Sequence, residues 1–261
     1  ADLKHAEATL ADRLAEWEAR QNKGVEWTAL DPSQMKSTNG AKLQKQDDLS
    51  ILATGRNGKT VYEVVAESSV AGITGVRLEL LADKRLPKNG PGRSVSNGNF
   101  VLSEFEVHVA PKDKPDKFQK VALQSAKADF SQKGYDVATA IDGKAPDQGN
   151  GWASSPDLGK NRTALFETRD NTGGESGSVI KFVLNQQYQD GKHSIGRFRL
   201  SVTNAARPID FGPPKAVEAI LAVAPDQRDD KQKAELLKYF RGIDPTLRQI
   251  IAPLNAARKP L

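Results

Sequence analysis

A glycine-rich run, GPGRSVSNG, leads into FVLSEFEV (100–107), which sets Glu104 in the middle of an otherwise apolar segment. Phe100, Leu102, Phe105 and Val107 require a core, whereas Ser103, Glu104 and Glu106 require water, a hydrogen-bond partner or a metal. Two readings of Glu104 follow from its type and place. It accepts backbone N–H groups or pairs with Arg93, or it is one ligand of a metal site.

The other residues with chemical potential do not assemble into a catalytic set. His5, His108 and His193 are far apart and in no HExxH spacing, and GESGS (174–178) does not match GxSxG. GRNGKT (55–60) resembles the end of a phosphate loop, but Ala53 stands where that loop needs glycine, and TVYEVV follows where it needs a helix. The acid pairs Asp47-Asp48 and Asp229-Asp230 fall in polar connections and read as solvated charge. With no cysteine in the chain, disulfides, thiolate zinc, a cysteine nucleophile and a CxxCH haem attachment are all excluded. The chain therefore reads as a non-enzyme.

The elements that must position Glu104 are β. From Trp27 onward, short runs rich in Val, Ile, Leu, Phe and Tyr alternate with Gly, Asn, Asp and Pro. Eight strands are predicted: 50–54, 60–68, 73–81, 100–110, 120–130, 162–168, 178–186 and 196–203. No helix separates them, so the expected architecture is mainly β, a jelly-roll β-sandwich and not a parallel βαβ sheet. Asn57-Gly58 and Asn97-Gly98 read as hairpin turns.

Helices are expected at both ends. In ADLKHAEATLADRLAEWEAR, Leu3, Leu10 and Trp17 fall seven apart on one seam. After Pro208, AVEAILAVA, DKQKAELLKYFRG closed by Gly242, and TLRQIIAPLNAA capped by Asp244 read as three more helices. The expected division is 1–24, an N-terminal helix; 25–206, the β-sandwich; and 207–261, a helical segment. Terminal helices with complementary apolar faces are expected to pack together, as in a module inserted in a longer protein.

Among 261 residues, 38% are hydrophobic and 27% charged, and no apolar run approaches the ~18 residues of a membrane span. The net charge of +5 is spread through every segment among acids, and with aromatics at 6% a nucleic-acid stacking surface is not expected.

Several segments carry a family resemblance. GVRLELLADKRLPKNGPGRSVSNGNFVLSEFEV (75–107), ADFSQKGYDVATAIDGKAPDQGNGWASSP (128–156), HSIGRFRLSVT (193–203), WEARQ and LKYFRGIDPTLRQ resemble the β-sandwich module of large planctomycete cytochrome c multidomain proteins. That resemblance implies a haem domain elsewhere in the parent protein, no haem in this chain, and an extracytoplasmic location, periplasmic or at the cell surface. The sandwich also resembles the galactose-binding, or discoidin-like, jelly rolls, which have an A-x-D-G segment followed by Trp and a late L-x-E-x-x-V strand. Here AIDG (140–143) and Trp152 follow LSEFEV instead of preceding it, as in a circular permutation, and Gly151 stands where the pattern has threonine.

The resemblance implies two sites. One is a structural calcium ion held by Glu104 and Asp142 with Asp147 or loop carbonyls, since a hard cation collects six to eight oxygens. The other is a sugar site in which Trp152 is the stacking platform, with Tyr135 and Tyr188 behind it and Asn150 and Arg93 holding hydroxyls; the alternative for Trp152 is a plug that closes the loop end of the sandwich. The expected function is a non-catalytic carbohydrate-binding module whose partner is a polysaccharide. The alternative is a spacer that packs neighbouring domains of the parent chain and has no ligand of its own. A solvent-facing Trp152 would mark the first, and a buried Trp152 with broad apolar helix faces the second.

Overall fold

The computed structural model describes residues 2–21, 25–144 and 151–257. Two helices open the chain, α1 (Asp2–Ala8) and α2 (Leu10–Gln21). The strands follow: β1 (Thr28–Ala29), β2 (Pro32–Ser37), β3 (Lys42–Lys45), β4 (Ile51–Thr54), β5 (Thr60–Ser68), β6 (Ile73–Leu80) and β7 (Val101–Leu102). Then come β8 (Glu104–Pro111), β9 (Gln119–Lys120), β10 (Leu123–Ala128), β11 (Trp152–Ala153), β12 (Arg162–Thr172), β13 (Ser178–Gln186) and β14 (Arg197–Thr203). Three helices close the chain: α3 (Lys215–Leu221), α4 (Asp230–Ile243) and α5 (Pro245–Ala257).

Two antiparallel sheets make the sandwich. One runs β10-β12-β6-β14-β4-β3, with β1 added against β14; the other runs β2-β5-β13-β8-β9. A short pair, β7 with β11, belongs to neither ladder but packs on the same core through Leu102 and Trp152. The eight predicted strands are all present, because their apolar alternation matches the pleat: in β5 and β13 alternate residues are buried. The inward faces supply a core in which Phe105 packs on Phe166 (4.5 Å between ring centroids) and on Phe182 (6.2 Å), and Tyr62 stacks on Phe198 (6.0 Å). Each such side chain contributes about 1.5–3 kcal/mol on burial.

Asn57-Gly58 does not make a hairpin. It joins β4 to β5, which lie in different sheets, so the turn is a crossover between layers. Its side chain serves the crossover, with Asn57 Nδ2 donating to the carbonyls of Arg93 (2.9 Å) and Lys192 (3.2 Å). Asn97-Gly98 likewise turns the chain without pairing two strands; Gly98 N–H donates to Ser94 O at 2.7 Å. The glycines of this run are needed for close approach, since a Cβ on Gly92 would lie 2.0 Å from Asn99 O.

The two ends of the chain form a separate compact unit, residues 2–21 with 212–257, while residues 25–211 form the sandwich. Ala6, Leu10 and Trp17 pack with Val217, Leu236 and Phe240, and Trp17 lies 5.9 Å from Tyr239 and 5.5 Å from Phe240 between ring centroids. Leu3, expected on this seam, is 37% exposed. The predicted first helix is divided at Thr9, and Gly242 lies inside α4, whose last residue is Ile243. Asp244 makes the expected cap of α5 by accepting from Leu247 N (2.8 Å), and it also binds Arg13 through two nitrogens at 2.9 and 3.1 Å.

Candidate functional site

In β8 the inward positions are Phe105 and Val107, so Glu104 and Glu106 face outward from the sheet. Glu104 is nevertheless only 8% exposed, because the 3-10 turn Val137–Ile141 and the AIDG segment that ends it cover that part of the strand. Gly143 N–H donates to Glu104 Oε1 at 3.2 Å. The structure thus brings the AIDG and LSEFEV segments together. Arg93 does not pair with Glu104; its guanidinium, on a residue 7% exposed, donates to the carbonyls of Arg56 (2.9 Å) and Gly55 (2.6 Å). This corrects Arg93 as a ligand residue, since both terminal nitrogens are committed to the β4–β5 crossover.

The second oxygen of Glu104 is the unusual one. Oε2 is buried with no hydrogen-bond partner, and so is Oδ1 of Asn185. Asn185 stands directly opposite Glu104 in the β13–β8 register, where facing Cβ atoms are ~4.5–5.5 Å apart. Burial pushes the Glu104 carboxyl up to about 7; the Gly143 N–H works against that shift, and the Asp142 carboxylate adds to it. Asp142 accepts Lys144 N at 3.0 Å, and Lys144 Nζ lies 3.8 Å from its other oxygen. Two buried acceptors without donors, one carboxylate and one amide oxygen, beside a second carboxylate have the chemistry of a cation site. Glu104 and Asp142 fit that group, Asn185 was missed in the sequence, and Asp147 lies outside the described residues. Only the register exposes Asn185, since 81 residues separate it from Glu104.

Trp152 is not a platform. It is 0% exposed, edge-on to Phe100 at 5.0 Å, and its Nε1 donates to Phe130 O at 2.9 Å. The physical reason is the β11–β7 pairing, which sets Trp152 opposite Leu102 and lets Gly151 approach so closely that a Cβ there would lie 2.4 Å from Leu102 O. A fully buried indole closes the loop end of the sandwich and leaves no face for a ligand.

Tyr135 and Tyr188 do meet, at that same end. Their rings are 6.1 Å apart and T-shaped, and Tyr188 is edge-on to His193 at 5.0 Å. All three are half-buried. Tyr135 O–H donates to Tyr188 Oη at 3.4 Å, which with burial pushes the Tyr135 phenol up to about 12. His193 Nδ1 lies 2.9 Å from Asp190 Oδ1. His193 was not among the predicted ligands; its place at a loop end beside an aromatic is a tertiary result. Asn150 lies outside the described residues. The remaining histidines are elsewhere, His5 in α1 and His108 on β8 against Glu106.

No protein-family model matches the sequence, and no curated protein matches it. Solved structures similar to the chain include the catalytic domain of Agl-KA, at 16% identity over 84% of this chain and 35% of that one, with a TM-score of 0.31. A second is a mutant of a family 29 carbohydrate-binding module, at 8% identity over 63% of this chain and 95% of that one, with a TM-score of 0.19. The chain spans about a third of the first of these. No family is shown, and likenesses at this level carry no argument about what this chain binds.

Proposed function

We propose that the sandwich is a non-catalytic carbohydrate-binding module of a larger extracytoplasmic protein, with Tyr135, Tyr188 and His193 as its sugar-facing surface. The observation that carries the reading is the set of three half-buried rings gathered at one loop end, where the two phenol hydroxyls bond only each other among the described residues. Aromatic faces beside free polar edges suit a pyranose, which has an apolar face and a rim of hydroxyls. The multidomain and extracytoplasmic parts of the proposal rest on the resemblance of the motifs alone. The spacer alternative is favoured by the burial of Trp152, but it also needs broad apolar helix faces, and among the helix residues whose burial is described only Leu3 and Leu237 are exposed large apolar side chains.

A structural calcium ion at Glu104, Asn185 and Asp142 belongs to the same proposal, supported by the two donorless oxygens. It would supply positive charge where two carboxylates converge and so hold the Gly143 segment to β8. Calcium against chelator should raise the melting temperature of the wild type and leave that of Glu104→Gln unchanged; no rise in the wild type removes the ion from the proposal.

The sugar reading is tested by affinity electrophoresis on a polysaccharide panel. One glycan class should retard the wild type, and Tyr188→Ala should migrate freely on it. Free migration of the wild type on every glycan overturns the reading.

A further inference from the structure

The surface around these rings is cationic. Three segments build it: the β4–β5 crossover at 55–59, the turn at 131–136 and the β13–β14 connection at 187–194. They are tied together by the Asn57 bond to Lys192 O, by Ser194 Oγ donating to Asn57 Oδ1 at 2.5 Å, and by the Tyr135–Tyr188 contact. Arg56, Lys59, Lys133 and Lys192 are all exposed here, and none holds a carboxylate within 4.0 Å among the described residues.

Elsewhere on the sandwich many exposed cations are paired. Lys45 holds Asp31 at 2.7 Å, Arg85 holds Asp83 at 2.6 Å, Lys112 holds Glu67 at 2.9 Å and Lys120 holds Glu106 at 2.7 Å. The three segments carry two carboxylates against these four cations: Asp136 caps the 3-10 turn by accepting Ala138 N (2.8 Å), and Asp190 accepts Lys192 N and faces His193, both at 2.9 Å. Four exposed cations against two carboxylates, beside the edge-on rings, therefore leave a surface with a net positive charge.

Resting on the carbohydrate reading, we infer that the ligand is an anionic polysaccharide, one whose sugar rings carry sulfate or carboxylate groups. The rings take the apolar sugar faces. The cations, on flexible stems around them, take the anionic substituents as point charges, so affinity falls as salt rises.

The test is affinity electrophoresis and calorimetry with a sulfated galactan, its desulfated form, a polyuronate and a neutral glucan, at low and high sodium chloride. Exposed ion pairs are each worth about two- to five-fold in affinity. Lys59→Ala with Lys192→Ala should therefore weaken anionic-glycan binding about 5- to 20-fold and flatten its salt dependence. As a control of equal charge, Lys114→Ala with Lys117→Ala removes two cations beyond Pro111, at the far end of β8 from Glu104. That variant should bind as the wild type does, and Tyr188→Ala should lose binding at both salt concentrations. Preference for sulfate or for carboxylate identifies the substituent, and either supports the inference. Binding of the sulfated galactan and of the polyuronate no stronger than that of the desulfated galactan and the neutral glucan, or equal losses in the two double variants, overturns the anionic inference while the carbohydrate reading stands. No binding to any glycan overturns the carbohydrate reading itself.

Discussion

Removing the charge of Glu104 without changing its shape gives the sharpest test of how this site is built. In the folded protein its carboxyl is pushed up to about 7 from 4.5, first by burial, with the Gly143 N–H opposing and Asp142 adding. An acid whose folded pKa is raised gives stability that is complete below the unfolded value and lost as pH rises through the folded one. At ~1.4 kcal/mol per pKa unit, the loss between pH 5 and pH 8 is about 2–3 kcal/mol. For a sandwich of this size that corresponds to about 5–10 °C in melting temperature. Glu104→Gln keeps an acceptor for Gly143 N–H and removes the titration. In chelator, the wild type should therefore lose that stability between pH 5 and pH 8 relative to Glu104→Gln, and the variant should be the more stable at pH 8. The assay is urea unfolding of both proteins across this range, so that histidine titrations common to both cancel. Parallel profiles would refute the reasoning, because they would mean that Glu104 is hydrated in the folded state.

Trp152→Ala should cost about 3–5 kcal/mol in urea unfolding, as a buried aromatic that also loses the Nε1 bond to Phe130 O, while Trp152→Phe should fold and retain any glycan binding of the wild type. Gly151→Ala should cost at least ~2 kcal/mol, because its φ is +119° and the new Cβ would meet Leu102 O; a cost near zero would show that the β11–β7 approach is not tight. Asp244→Ala should destabilise the helical unit by about 2–4 kcal/mol, read as faster amide exchange in α5, since it removes the cap and leaves Arg13 without its partner. Burial would raise the Asp244 carboxyl, but the Arg13 and Leu247 bonds outweigh it and hold the group below its usual value. Its contribution is therefore present above about pH 4 and lost on acidification below that, so the variant and the wild type should converge at low pH.

Much of this molecule was legible in the residues. Alternation in TVYEVVAES and SVIKFVLNQ located β5 and β13 to the residue, because one face of each strand is buried and the pleat has period two. The seam of Leu10 and Trp17 and the cap at Asp244 were equally local, set by helix period and by the donors a helix start leaves open. The short strands β2, β3 and β9 escaped because Lys- and Gln-rich edges carry no alternation, and β1, two residues long, is too short to show a period.

The site was only half legible. That Glu104 needed an explanation followed from its neighbours in sequence, but its partners did not. Asn185 enters through cross-strand register, Gly143 through a covering turn, and the meeting of Tyr135, Tyr188 and His193 through the closure of one loop end. Trp152 shows the same limit from the other side: the residues around it left a platform and a buried plug both open, and the close approach of Gly151 to Leu102 decides for the plug. The Asn57-Gly58 turn was recognisable as a turn, but the sheets it joins were not, because a turn's dihedral preferences are local and strand pairing is decided by the whole buried surface. Sequence alone determined which residues need burial, charge or a tight turn; tertiary structure decided which of them share a surface, because contacts across a sandwich join residues that no local period relates.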